Sequence, residues 1–307
     1  MTDDHDYGGN WTDQKLDILQ KYLSFFTTAL RNQNFQLLYI DGFAGSGGRV
    51  IERILARESP LFGTTNQSEK VNAPGSARIA LETDPPFHRI LLNERHGKRF
   101  AALKKLCAEH PNIQIDLLKG DANDAIVDLC QSTVWRGPRV PDRGVRAVLF
   151  LDPYGMNLKF STLEVIAATQ AIDVWYLFPL SGVYRQASID GRKLTSKKRE
   201  SITRILGTDE WETEFYPPRE DLDLFGSLPE SVRSANVQAI ENYVKKRLMT
   251  IFPKVTDPRR LSMDNGAPLF SLFFAMSNPD PRAIGLALKA ANHILKTGIS
   301  SHVRPRN

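Results

Sequence analysis

The sequence predicts an α/β fold, a mostly parallel sheet with helices on both faces and a mainly helical insertion. Three observations predict it. Short apolar, strand-like runs alternate with segments of helical spacing from residue 37 to 179, the pattern of strand–helix–strand units. Four of those runs end in or beside an acid: Asp41, Glu94, Asp121 and Asp152. A glycine-rich turn follows the first run at once, and the carboxyl ends of parallel strands are where doubly wound folds bind nucleotides.

The first element is a helix over 11–31, on which Leu16, Leu19, Leu23, Phe26 and Leu30 recur at helical spacing. Thr12 or Asp13 is placed to cap it. Ordinary lysine exposure favours a solvated Lys15 over one that reaches a ligand carboxylate. Leu37-Leu38-Tyr39-Ile40 reads as a buried strand running into Asp41-Gly42-Phe43-Ala44-Gly45-Ser46-Gly47. The glycines allow a tight turn and a close approach of backbone to ligand. The dinucleotide fingerprint G-x-G-x-x-G fails here, because Val50 stands at its third glycine. A phosphate-binding G-x-x-x-x-G-K-[ST] loop fails too, because Gly48-Arg49 follows Gly47. The polar stretch 49–73 reads as a loop or flap laid over the ligand, since long structureless loops in compact domains are usually functional. Pro74-Gly75-Ser76 then opens a helix over 77–82.

Residues 89–94 form the second strand. Glu94 at its end is positioned to accept hydrogen bonds from ribose hydroxyls, at about 1.5–3 kcal/mol for each charge-assisted bond, and Arg95 belongs to the same binding set. Alternation over 113–117 marks the third strand. Asp121 after it can accept from an adenine amino group while the Ala122 backbone N–H donates to the ring. Asp121 also suits the N-cap of a helix starting near Ala122. A wholly apolar fourth strand, 147–151, breaks into Asp152-Pro153-Tyr154-Gly155, which on its own is an ordinary turn sequence. A helix over 161–169 and a strand over 173–179 complete the regular alternation.

Beyond residue 180 the character changes. Basic clusters stand at Arg185, Arg192-Lys193, Lys197-Lys198-Arg199, Lys245-Lys246-Arg247 and Arg259-Arg260, with helices expected over 195–206 and 231–250. Tyr184, Trp211, Phe215, Tyr216 and Phe225 are interspersed. Basic groups with aromatics suit phosphates and stacked bases; the plain alternative is a solvated helical face over a small core. An apolar strand over 269–277 and a helix over 283–296 return the chain to the sheet edge.

The strand-D-x-F-x-G-x-G pattern at 37–47 resembles the first motif of class I S-adenosylmethionine-dependent methyltransferases. The resemblance implies that Gly42, Phe43, Ala44, Gly45 and Gly47 cradle the methionine end of that cofactor, with Asp41 holding the turn and the cofactor's ammonium. Asp152-Pro153-Tyr154-Gly155 resembles the [DNS]-P-P-[YFW] signature of amino-group methyltransferases, with Tyr154 at the second proline and Gly155 at the aromatic. By that likeness Asp152 and the Pro153 carbonyl accept from a target amine and Tyr154 offers a stacking surface. Together with K-L-D-I-L-Q-K-Y-L at 15–23 and Gly75-Ser76, these motifs resemble the three-Cys-motif partner (TcmP) family of bacterial proteins. The likeness implies a Rossmann-like class I methyltransferase fold, adds Ser76 and Asp152 to the cofactor set, and implies a partner protein carrying a three-cysteine motif.

The expected organisation is an N-terminal helix (1–36), a cofactor-binding core (37–180), a basic helical insertion (181–262) and a closing strand and helix (263–307). The expected activity is methyl transfer to an amino or ring nitrogen of nucleic acid. A catalytically silent partner protein, or a methyltransferase for small molecules or proteins, are the alternatives. Composition sets bounds. With 307 residues and 41% hydrophobic content the chain can bury a sizeable core. No apolar run approaches the ~18 residues of a membrane span. The acidic start Met1-Thr2-Asp3-Asp4 is not a secretory signal, and a cytoplasmic location is expected. The only cysteines, Cys107 and Cys130, lack metal-ligand spacing, so no metal site is expected. A net charge of +5 permits a nucleic-acid acceptor without demanding one.

Overall fold

The computed structural model describes residues 10–59, 63–135, 144–217 and 231–297. Five strands run parallel: β1 (Gln36–Asp41), β4 (Arg89–Asn93), β5 (Gln114–Leu118), β6 (Val145–Leu151) and β7 (Ile172–Phe178). Their apolar runs leave little exposed; β7 is buried along its whole length. β10 (Pro268–Met276) then pairs antiparallel with β7, and β8 (Lys254–Val255) and β9 (Arg259–Ser262) pair with β10. The order is β5-β4-β1-β6-β7-β10-β8. This is the mostly parallel, Rossmann-like α/β sheet with helices on both faces that the sequence predicts. The chain steps outward from β1 to β4 and β5, then restarts on β1's other side with β6 and β7. Doubly wound sheets bind ligands at such a switch point.

Each face of the sheet has its own core. On one, α1 (Asn10–Leu30), α2 (Ser76–Leu81), α3 (Gly97–Ala108) and α10 (Pro281–Thr297) pack. Leu16, Leu19, Leu23 and Phe26 of α1 are buried there, and Tyr22 meets Trp175 and Phe274 at ring distances of 5.2 and 4.9 Å. The other face is covered by α4 (Ala122–Ser132), α5 (Phe160–Ala168), α6 (Leu180–Gln186), α7 (Ser196–Leu206), α8 (Trp211–Phe215) and α9 (Val237–Met249). Ile202, Ile205, Trp211, Phe215, Ile240 and Val244 join Leu149, Tyr176 and Phe273 in one continuous core.

Four expectations are corrected. Residues 49–73 are not a loop: β2 (Gly48–Ser59) and β3 (Gly63–Pro74) pair antiparallel from Gly48↔Pro74 to Ser59↔Gly63. Twelve residues per strand make an arm of about 40 Å. Its apolar residues fall in adjacent pairs, Val50-Ile51 and Ile54-Leu55, so the sequence shows no strand period. The second helix of the insertion starts at Val237 rather than 231, where Asn236 caps it by accepting from the Ala239 N–H at 2.9 Å. β10 lies inside the sheet rather than at its edge, because the two-residue β8 beyond it is too short to read from sequence. Trp211 and Phe215 are fully buried and are not available to stack on a base; Phe225 lies outside the described residues.

Candidate functional site

The carboxyl ends of β1, β4, β5 and β6 are neighbours in the sheet, so Asp41, Glu94, Asp121 and Asp152 gather at one end of it. Asp41 is wholly buried under the glycine turn. Its carboxylate accepts from the Phe43 N–H (3.1 Å) and the Tyr39 hydroxyl (3.2 Å). Burial pushes its pKa up to about 6, and the nearby Asp152 adds to the rise, against the bonds from Ser76, Phe43 and Tyr39. Asp41 and Ser76 thus tie β1 to the start of α2 from beneath the turn.

The turn itself is tightly specified. Gly45 and Gly47 have φ of +65° and +78°, values that disfavour any side chain. A Cβ on Gly47 would stand 2.2 Å from Leu106 Cδ2, and one on Gly42 would stand 3.1 Å from Ile126 Cδ1. Gly42 donates to the Phe150 carbonyl at 3.2 Å, and the Ala44 N–H donates to the Asn93 carbonyl at 2.9 Å. Asn93, buried at the end of β4, binds this end of the sheet together: its amide donates to the Gly42 carbonyl (3.1 Å) and the Gly120 carbonyl (3.3 Å). Asn93 Oδ1 is buried without a partner among the described residues.

Glu94 is only 3% exposed although it is a carboxylate at a strand end. One oxygen accepts from the His96 N–H at 2.6 Å, and no cation pairs with the side chain among the described residues. Arg95 next to it is strongly exposed and approaches Asp121 at 3.9 Å. Asp121 caps α4, accepting from both the backbone and side-chain N–H groups of Asn123 at 2.9 and 3.0 Å. Burial opposes its ionisation, but the Asn123 bonds and the Lys159 and Arg95 charges together hold its pKa below the usual value. Ala122, the first residue of α4, is buried. Asn123 also donates to the Asn157 carbonyl and accepts from Lys159 N–H and Thr162, which fixes the β6–α5 connection against α4.

Asp152 follows β6. Lys15 reaches it from α1 and forms an ion pair with its Oδ2. The lysine is 6% exposed, with its ammonium 4.7 Å from the Trp11 ring, which corrects the solvated reading. The helix brings the lysine over the strand ends, a placement that the spacing of α1 alone does not reveal. Asp152 Oδ1 has no hydrogen-bond partner among the described residues. Pro153 is buried and Tyr154 is half exposed. Arg99 of α3 bonds the Tyr154 hydroxyl and lies over its ring, Cζ 4.5 Å from the centroid. Burial raises the Tyr154 pKa, opposed by Arg99 and supported by the Glu94, Asp152 and Asp41 carboxylates. Glu94, Asp152 and Asp41 thus all act on Tyr154, and with Asp121 they stand at the strand ends of the switch point, where doubly wound sheets have their crevice. Asn93, Asn123 and Arg99 escaped the sequence reading. Asn93 alone leaves a signal, an amide directly before the strand-end acid.

The residues fit a cationic nucleoside such as S-adenosylmethionine. Gly47 leaves no room for a side chain where the turn packs and Gly42 little, Glu94 keeps acceptor capacity, and Asn93 Oδ1 lacks a donor among the described residues. No group of three His, Cys, Asp or Glu side chains among the described residues is arranged to hold a metal. Burial raises the pKa of both cysteines, and neither forms a disulfide. No helix among the described residues is long and apolar enough to cross a membrane.

No protein-family model matches the chain, and no curated protein does. Several solved structures are similar to it in shape. A Legionella pneumophila protein, LPL1258, assigned to the family model DUF519, aligns at TM-score 0.47 and 14% identity over 95% of each chain. Trm1 from Pyrococcus horikoshii, solved with S-adenosyl-L-methionine, aligns at TM-score 0.41 and 10% identity over 92% of this chain and 57% of its own. An O-methyltransferase from Bacillus cereus in complex with SAH aligns at TM-score 0.37 and 11% identity over 84% of this chain and 80% of its own. At such scores and identities, function has to be read from the site itself.

Proposed function

We propose that the chain is an S-adenosylmethionine-dependent methyltransferase that acts on an amino or ring nitrogen of nucleic acid. The observation that carries the reading is the convergence of Asp41, Glu94, Asp121 and Asp152 on four adjacent strand ends around a glycine turn. The turn at 42–47 would receive the methionine end, with Asp41 and Ser76 bracing it from below. Glu94 would hold the ribose, and Asp121 with the Ala122 N–H would hold the base. The bound cofactor supplies an activated methyl group. The protein's part is alignment, since a fixed geometry replaces a bimolecular encounter. Lys15 pins one oxygen of Asp152 and leaves the other to accept from an amine, with the Pro153 carbonyl beside it. Tyr154, half exposed, offers a face to a flat base. A base held within a duplex would have to be extruded to reach this position.

The second reading is a catalytically silent member of the fold that serves a partner protein with a three-cysteine motif, as the resemblance to the TcmP family implies. It draws on one observation: Asp152 and Tyr154 are already engaged by Lys15 and Arg99. Calorimetric titration with S-adenosylmethionine and SAH, followed by transfer of labelled methyl to cellular RNA, DNA and protein, separates the two. A folded protein that binds neither ligand at millimolar concentration refutes both as cofactor readings. Binding without transfer, with any required partner present, favours the silent one.

A further inference from the structure

The basic groups of the insertion are largely spoken for. Arg192 pairs with Asp190, Arg199 with Glu212, Lys245 with Asp257, Lys246 with Glu214 and Arg260 with Glu241. Arg247 donates to the Leu206 carbonyl and lies over the Phe160 ring, and Lys198 bonds Ser188 and the Lys193 carbonyl. Arg185, Lys193, Lys197 and Lys254 remain exposed without an acidic partner among the described residues.

A different group of cations stands at the same end of the sheet as the four acids, after the carboxyl ends of β4, β5 and β6. Arg95 follows β4, Lys98 and Arg99 stand at the start of α3, Lys119 follows β5, and Lys159 precedes α5. Three observations bring them together. Lys119 Nζ lies 4.0 Å from where a Cβ on Gly97 would be, and 6.0 Å from the Phe100 ring centroid. Arg95 approaches Asp121 at 3.9 Å. The Lys159 charge acts on that same Asp121. Arg95, Lys98, Lys119 and Lys159 are exposed. Lys98, Lys119 and Lys159 have no acid within ion-pair distance among the described residues. Tyr154, half exposed, follows β6 at this end of the sheet, with Arg99 over its ring.

We propose that this rim, and not the insertion, binds the phosphate backbone of a single-stranded nucleic acid and presents one of its bases to the crevice. The proposal rests on the nucleic-acid reading above. Unpaired cations release counterions from phosphates without first breaking an ion pair, whereas Arg192, Arg199, Lys245, Lys246 and Arg260 of the insertion would each lose an acid for a phosphate gained. Cations at one end of the sheet together with an exposed aromatic match what a single strand offers, charges along its length and flat bases. An acidic protein segment has the charge but no base for Tyr154.

The test uses the full chain and a labelled twenty-nucleotide strand, as RNA and as DNA of the same sequence, titrated from low to moderate salt. A variant carrying Lys98→Ala, Lys119→Ala and Lys159→Ala should bind at least ~10-fold more weakly at low salt. Its log–log salt slope should be shallower by about 2, from three contacts at about 0.7 each. A variant carrying Arg192→Ala, Lys193→Ala and Lys197→Ala should keep the parent's affinity and slope. A preference for RNA or for DNA names the sugar, and either supports the proposal. An unchanged rim variant, an equal loss in the insertion variant, no binding of either strand at low salt, or equal binding of polyglutamate would overturn it. SAH titration of the same proteins keeps the cases apart. SAH binding without oligonucleotide binding sinks the rim and spares the cofactor reading. Rim-dependent oligonucleotide binding without SAH binding does the reverse.

Discussion

Glu94 offers the sharpest test of the cofactor site. Its carboxylate is 3% exposed, has no cationic partner among the described residues, and spends one oxygen on the His96 N–H at 2.6 Å. In Glu94→Gln the carbonyl oxygen of the amide keeps the His96 bond, while an N–H₂ group replaces the second acceptor. One charge-assisted bond to a ribose hydroxyl is then lost, at about 1.5–3 kcal/mol. Dissociation constants for SAH should therefore rise roughly 10- to 100-fold. Glu94→Ala removes both acceptors and should cost at least as much. The His96 N–H, freed at a partly exposed position, should lower stability by only about 1 kcal/mol. Calorimetric titration measures the first effect and a urea midpoint the second. An unchanged SAH affinity in a folded Glu94→Ala protein would mean that this carboxylate touches no ligand, and the assignment of the crevice would fail with it.

Two further expectations concern the scaffold. Gly47→Ala forces a methyl to within 2.2 Å of Leu106 at a φ of +78°; the protein should lose about 1–3 kcal/mol of stability and most of its SAH affinity, read by thermal melting and titration. Asp173, buried on β7 and accepting from Tyr22 at 2.7 Å, has its pKa raised to about 6, chiefly by burial and against the Tyr22 bond and the Arg146 charge. The folded state then holds this proton more tightly than the unfolded one, so the stability it contributes is present below pH ~4 and is lost as pH climbs through ~6. Raising the value from 3.8 to about 6 corresponds to about 3 kcal/mol, and Asp173→Asn should flatten the stability profile across that window. An identical profile for parent and variant between pH 4.5 and 7.5 would refute the assignment.

What the sequence disclosed follows from what leaves a local trace. The central parallel strands were legible because burial on both faces demands unbroken apolar runs, as in Ala147-Val148-Leu149-Phe150-Leu151, and the edge strand β5 because its residues alternate. Asp41, Glu94 and Asp152 were legible because each ends or directly follows such a run, and Asp121 because Gly120-Asp121 breaks the alternating strand before it. The arm at 48–74 was not, because its apolar residues do not alternate. Nor was the two-residue β8, which owes its strand form to β10. Within the site, the contacts of Lys15 with Asp152 and of Arg99 with Tyr154 link residues far apart in the chain. Spacing rules reach only as far as one helix or strand. The fate of the insertion's cations was hidden for the same reason: a run of lysines looks alike whether an acid from another helix faces it or water does.

The root of the arm carries a consequence for how this chain can change. Gly75 donates to the Gly47 carbonyl at 3.0 Å, and there is no space for a Cβ on Gly75 beside the Gly47 backbone, 3.1 Å away. To the rest of the molecule, Gly47 and Gly75 are effectively consecutive. The whole excursion enters and leaves through one stitch, so its length can vary with little entropic penalty to the fold that carries it. The stitch is also the last link of the glycine turn. A load on the arm would therefore act on the stretch of backbone that the proposed function gives to the cofactor's methionine end.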